Sequence, residues 1–311
     1  MGTVASYRES PGRRILLGTR RSIACTPRWL VRFGYDGSGF SGWARQPAGR
    51  TVEGVLRDGL RRRGIVPTLD EAHLEVASRT DRGVSARANA LALWSGISGG
   101  PLLRRLNAIS PELFFTAARP IPQDFRVRAA IRRVYRYFEP GPMPDLEGWR
   151  RAARLFQGRV DVRSFGRGLP GRSPQWRTVE SVVVEPLGDG RLIEVRAPSF
   201  VWGMVRKIVG ALREVERGRL PLSRLEAAIA GETRLTLPMA EPEGLVLWEV
   251  EYPVGWETPW GGPNRHQTSF ARTTRDGLWR REEVLDALFG GGGRKERNSV
   301  GDTELPGREP V

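Results

Sequence analysis

Cysteine and histidine are nearly missing from this 311-residue chain, which has one cysteine, Cys25, and two histidines, His73 and His266. A lone cysteine makes no intrachain disulfide, which fits a reducing compartment and a cytoplasmic protein. The same scarcity excludes zinc sites built from clustered Cys and His, and helices that bind metal through two histidines. A serine–histidine–acid triad would have to use His73 or His266, and neither stands near a nucleophile elbow. Lysine is equally scarce, with only Lys207 and Lys295 among the 50 basic residues. No run approaches the ~18 consecutive apolar residues of a membrane span. The opening stretch carries Arg13, Arg14, Arg20 and Arg21 without a compact apolar segment, so it does not read as a signal peptide. Glu9, Pro11 and Pro27 count against an arginine-rich organellar leader.

What is present is an ordinary globular composition with an unusual charge. Hydrophobic residues make up 39% and charged residues 27%, enough apolar material for a core and for about two domains. The formal charge is +15. Residues 1–27 hold a net +4 and residues 255–311 a net zero, which leaves +11 on residues 28–254. A charge of this size on the folded region points to a polyanion, nucleic acid ahead of an anionic membrane surface. Arginine supplies a planar fork that grips phosphate through two hydrogen bonds.

The pattern divides the chain into a basic arm over 1–27, two sheet-plus-helix halves over 28–128 and 129–254, and a tail over 255–311. In the first half, Trp29, Val31, Phe33 and Tyr35 alternate as in a half-buried strand. A glycine-rich loop, 36–46, leads to Thr51, a helix cap, and to Val52, Val55, Leu56 and Leu60 at helical spacing, stopped by Gly64. Strands are expected at 74–77, 88–94 and 113–118. The second half repeats this grammar: a strand over 131–138, a helix capped by Asp145 and ended by Gly158, and strands at 179–185 and 191–197. A helix then carries the apolar stripe Val201, Met204, Val205, Ile208, Leu212 and Val215 and ends at Gly218. A short helix over 223–230 and a strand over 245–252 close the half, giving an α+β fold of two pseudo-repeated halves. Glycine runs, prolines and cancelling charges predict a disordered tail over 255–311, with a short helix around 280–289.

One segment draws attention on physical grounds, Ser78-Arg79-Thr80-Asp81-Arg82-Gly83-Val84-Ser85-Ala86. Its aspartate lies between two arginines, directly after an apolar strand, where a rigid sheet fixes functional groups. A flanking guanidinium keeps a carboxylate ionised, as a nucleophile or base requires. The same spacing also suits an ordinary turn aspartate paired with a surface arginine.

The segment resembles the Arg-Thr-Asp-x-Gly-Val signature of the tRNA pseudouridine synthase A family, and further motifs follow in that family's order. They are Tyr35-Asp36-Gly37 with Phe40, Gly42-Trp43 and Gln46; Thr51-Val52-Glu53; Asp124-Phe125-Arg126-Val127-Arg128; Arg133-Val134-Tyr135-Arg136-Tyr137; Phe200 through Gly210; and Glu243-Gly244-Leu245-Val246-Leu247. The resemblance covers about residues 28–254. Three positions depart from the common bacterial pattern. Ser78 stands for Gly, Val84-Ser85-Ala86 for Val-His-Ala, and Lys207 for Asn, forms closer to archaeal and eukaryotic relatives.

The resemblance implies a pseudouridine synthase fold that isomerises uridine in tRNA, in the anticodon stem-loop around positions 38–40. It implies a homodimer, with no cofactor, no metal and no membrane. Asp81 matches the essential aspartate, Tyr135 the aromatic that stacks on the target base, and Arg206 the arginine that pairs with the aspartate. Helical arithmetic sets Arg206 about 140° from the centre of the apolar stripe, off the core face. Arg79, Arg82, Arg133 and Arg213, with Asp36, Trp43 and Gln46, are the candidate RNA contacts, Trp43 serving equally well as a core anchor. The alternative on this scaffold is a noncatalytic tRNA-binding paralogue or RNA chaperone, and the joint presence of Asp81, Tyr135 and Arg206 argues against it.

Overall fold

The computed structural model describes residues 26–66, 73–142, 144–169, 171, 173–256, 258–259 and 264–289. Most of the expected basic arm, and the tail from residue 290, lie outside these residues.

The first half runs β1 (Arg28–Tyr35), α1 (Val52–Arg62), β2 (Glu75–Val76), β3 (Ser85–Trp94), α2 (Gly99–Asn107) and β4 (Leu113–Ile121). Strand β1 lies in the sheet between β3 and β4, both antiparallel to it, and is buried at all but one position, so its alternation understates its burial. Helix α1 starts at Thr51, whose hydroxyl accepts from the Gly54 amide, as the sequence pattern predicts. Its buried Val52, Leu56 and Leu60 join the core. Helix α2 was not anticipated, since it opens on Gly99-Gly100-Pro101; Leu102, Leu103 and Leu106 hold it against the core.

The second half runs β5 (Arg132–Glu139), α3 (Leu146–Arg154), β6 (Gly158–Asp161), β7 (Trp176–Val179), β8 (Ser181–Leu187), β9 (Gly190–Ala197), α4 (Met204–Glu216), α5 (Leu222–Ile229), a 3-10 turn at Pro242–Gly244 and β10 (Leu245–Glu251). Asp145 caps α3 through the Gly148 amide at 2.7 Å. Helix α4 begins at Met204, later than its apolar stripe suggests. Gly203 just before it is left-handed, φ 75°, and breaks the helical path. Gly210 allows α4 to press on the segment after α5, where a Cβ would lie 2.1 Å from the Pro238 carbonyl oxygen.

The two halves share one α+β sheet of nine strands, in the order β11-β4-β1-β3-β10-β5-β9-β8 with β2 paired to β3, where β11 is Thr258–Pro259. The order β4-β1-β3 is repeated by β10-β5-β9, each with its earliest strand in the middle. The join is the parallel contact of β3 with β10, Val246 opposite Ser85 and Leu247 opposite Ala86. Helices α3 and α4 pack against each other, and α3 against β8.

The described part of the tail departs from the expected disorder. Besides β11 it holds α6 (Arg265–Phe289), which begins well before the short helix expected around 280–289. The cause is polar anchoring that composition does not reveal. Asn264 Oδ1 accepts from the amides of His266 and Gln267, and buried Gln267 donates to Asn107 Oδ1 at 2.7 Å and to the Leu113 carbonyl at 3.0 Å.

Candidate active site

Between the two halves lies a cleft of about 1190 Å3, lined among others by Arg79, Asp81, Arg128, Tyr135, Trp202 and Arg206. Asp81 sits in a tight turn between β2 and β3. The Val84 amide closes the turn onto the Asp81 carbonyl at 3.2 Å, and Gly83 takes φ 80°. The glycine-rich loop braces this turn from outside. The Trp43 amide donates to the Thr80 carbonyl at 3.0 Å, and a Cβ on Gly42 would come within 3.1 Å of the Arg82 nitrogen and the Thr80 oxygen. From below, the Thr80 hydroxyl pairs with the Tyr35 hydroxyl at 2.7 Å, and burial pushes the Tyr35 phenol well above its ordinary pKa.

The Asp81 carboxylate is 28% exposed and its two oxygens have different partners. Oδ2 accepts from an Arg206 guanidinium nitrogen at 3.3 Å, and Oδ1 from the indole nitrogen of Trp202 at 2.7 Å. Arg206 is 13% exposed and is held in turn by its Nε, which donates to the Ala240 carbonyl at 2.6 Å. The structure thus brings Arg206 across from α4 to Asp81. Tyr135, on β5, is 8% exposed and packs edge-on against Phe200 with ring centroids 5.0 Å apart. Burial pushes its pKa up to about 12, against the opposing pull of Arg133 and Ser78, so it presents a neutral phenol at neutral pH.

The candidate RNA contacts separate into two groups. Arg79 and Arg82 are exposed, line the cleft and form no side-chain hydrogen bond or ion pair among the described residues. Gln46 also lines the cleft and donates to the Ser41 carbonyl at 2.8 Å. The other four are engaged within the protein, although Trp43 and Arg133 also line the cleft. Arg133 is buried and its guanidinium donates to Ser78 Oγ and to the carbonyls of Ala77, Arg128 and Pro198, so it clamps β5 to the Asp81 segment instead of facing phosphate. Arg213 pairs with Glu139 and Glu241, each at 2.7 Å; burial opposes its charge, but these partners hold its pKa above the ordinary arginine value. Trp43 is 2% exposed and packs on Phe33 and Tyr35, which makes it a core anchor. Asp36 closes a local turn on the Ser38 amide and lines a groove against α6, away from the cleft.

Three cleft residues carried no assignment from sequence: Trp202, Arg128 and Arg167. Trp202 stands four residues before Arg206 but outside α4, because Gly203 breaks the helical path between them, so helical spacing does not announce it. Arg128 is exposed and its side chain has no partner among the described residues, while Arg167 stacks over the Trp202 ring at 4.4 Å. The three departures from the bacterial pattern all make contacts that shape this region. Ser78 receives Arg133, Ser85 Oγ receives the Gly37 amide at 2.9 Å, and Lys207 Nζ donates to the carbonyls of Ser164 and Gly166 at 3.3 and 3.2 Å. Burial lowers the Lys207 pKa, helped by the neighbouring charges of Arg234 and Arg167.

The described residues contain no group of His, Cys, Asp and Glu that could hold a metal ion, and no helix long and apolar enough to cross a membrane. A family model described as tRNA pseudouridine synthase matches residues 152–253. A protein named tRNA pseudouridine synthase A from Thermococcus kodakarensis is 40% identical over 73% of this chain and 86% of its own length. Proteins of the same name from Pyrococcus abyssi and Methanothrix thermoacetophila are 37% and 35% identical, over 72% and 73% of this chain and 84% of each relative. Among solved structures, the crystal structure of a Cbf5-Nop10-Gar1 complex overlaps at a TM-score of 0.32 and 14% identity, over 69% of this chain and 56% of that one, too loosely to carry an argument.

Proposed function

Since this chain belongs to the tRNA pseudouridine synthase A family and isomerises uridine to pseudouridine in tRNA, we propose that Asp81 is the carboxylate that acts on the target nucleotide. The isomerisation breaks the bond from N1 of uracil to C1′ of the ribose. The base turns, C5 joins C1′, and the proton lost from C5 is balanced by the one gained at N1. Nothing is oxidised or hydrolysed. A uridine within a stem is shielded by stacking, so the nucleotide must leave its stack to enter the cleft. Tyr135 then offers an aromatic surface to the uracil, and Arg206, through its contact with Oδ2, orients the Asp81 carboxylate beside the ribose.

The observation that carries this reading is the meeting of Asp81, Arg206 and Tyr135, from well-separated parts of the chain, in one cleft, beside the guanidiniums of Arg79, Arg82 and Arg128, which have no partner among the described residues. Those arginines suit the phosphates on either side of the turned-out nucleotide. The proposal extends to a target in the anticodon stem-loop around positions 38–40, a homodimer spanned by one tRNA, and action in the cytoplasm. The family resemblance and the charge of residues 28–254 support these finer points.

Asp81→Asn is nearly isosteric and removes the carboxylate. Pseudouridine formation is expected to disappear while tRNA affinity changes by less than about tenfold, ~1.4 kcal/mol. Sequencing-based mapping of pseudouridine in tRNA incubated with each protein reads both the activity and the position. Sustained turnover by Asp81→Asn would remove Asp81 from the reaction, and modification confined to another arm would overturn the anticodon assignment.

A further inference from the structure

We propose that Trp202 is a positioning residue for Asp81, its indole N–H fixing the carboxylate in one rotation for attack; this rests on the reading of Asp81 as the reacting group. Trp202 is 54% exposed, so core packing does not account for a tryptophan at this place. What it does is donate its single side-chain N–H to Asp81 Oδ1 at 2.7 Å.

The need for a second donor follows from Arg206. That guanidinium reaches Oδ2 through a single contact of 3.3 Å, while its Nε is turned away to the Ala240 carbonyl. One long contact leaves a carboxylate free to turn about its Cβ–Cγ bond, since that torsion is broad and weakly restrained. A short bond to the other oxygen removes this freedom. It also does so without a second charge, so that Asp81 is oriented but not locked in a two-pronged arginine pair.

The indole is itself held in place. The Arg167 guanidinium stacks over its ring at 4.4 Å, and the Arg167 amide donates to the Trp202 carbonyl at 2.9 Å. Gly168, at φ 62°, runs alongside the ring, where even a Cβ would come no nearer than 3.9 Å. Lys207 secures the preceding turn through the carbonyls of Ser164 and Gly166. A chain of contacts therefore leads from Lys207 on α4, through the 164–168 segment, to the ring and so to Asp81.

Trp202→Phe keeps an aromatic ring and removes the donor. The single-turnover rate at saturating tRNA is expected to fall about tenfold, with the dissociation constant of tRNA within about twofold of the parent. A ring that merely bound RNA would show the opposite split, with weaker binding and a full rate at saturation. A second measurement follows the bond in free protein. The Trp202 indole N–H resonance, identified by its loss in Trp202→Phe, is expected to shift upfield in Asp81→Ala. A parental saturating rate in Trp202→Phe, or an indole resonance indifferent to Asp81→Ala, overturns the proposal. Turnover by Asp81→Asn would instead overturn the reading of Asp81, and the indole shift would still report whether the bond exists.

Discussion

At the scale of single residues, arginines alike in sequence divide by what their guanidiniums touch. Arg206 and Arg213 stand two turns apart on α4, yet one meets Asp81 and the other is caught between Glu139 and Glu241. Arg206→Ala is expected to depress the single-turnover rate even at saturating tRNA, because extra substrate cannot restore the partner of a reacting carboxylate. Full rescue by more tRNA would make Arg206 a binding residue only. Arg213→Ala should act on stability, since it leaves the largely buried Glu139 without its partner; a loss of about 3 kcal/mol in urea unfolding is expected. An unchanged urea midpoint, together with weaker tRNA binding, would return Arg213 to the RNA surface. That Asp81, Tyr135 and Arg206 would meet was legible because a motif fixes residue type and order together, and the structure places them in one cleft. The burial of Arg133, Arg213 and Trp43 was not, because charge and aromaticity suit a phosphate, a carboxylate or a core equally well.

Among the elements, those announced by local chemistry were the readable ones. Thr51 and Asp145 set the starts of α1 and α3 through bonds to nearby amides, and Gly218 follows the end of α4 with φ 68°. Elements held by distant partners were missed or misjudged. Helix α2 rests on its leucines in the core, and α6 on the bond from Gln267 to Asn107, residues far apart in the chain. The strand expected at 179–185 is β8, displaced by two residues, at the sheet edge next to β9, whereas β7 just before it, paired with β6, was not expected. Close approach between elements is equally invisible in sequence, and Gly210 gives a test of it. An added methyl would strike the Pro238 carbonyl at 2.1 Å and push α4 from the segment that anchors Arg206 through Ala240. Gly210→Ala is expected to cost about 1–3 kcal/mol of stability, despite alanine's better helix propensity, and to lower the rate of the folded fraction. Urea unfolding and single-turnover assays check the two effects.

For the whole molecule, the +11 of residues 28–254 predicts tRNA binding that weakens steeply with salt, as each neutralised phosphate gives up its counterion. Arg79→Ala or Arg128→Ala should each lower the slope of log affinity against log salt by about one, read by filter binding over a salt series. An unchanged slope would put these two cations off the RNA path. Activity is expected to persist in EDTA with monovalent salt, and restoration only by zinc would contradict that. The parallel join of β3 to β10 also bears on how the protein is made. Asp81 precedes β3 and Tyr135 lies on β5, and the strand between them, Leu245–Glu251, is among the last of the sheet to leave the ribosome. Until it emerges, β3 and β5 each present an open edge that can recruit another chain. Closing the sheet late, across more than a hundred residues of intervening chain, makes this a fold of distant contacts and slow assembly. A nascent chain halted before Leu245 would already carry every proposed catalytic side chain but lack the strand that joins β3 to β5, so its activity is expected to appear only once synthesis has passed that strand.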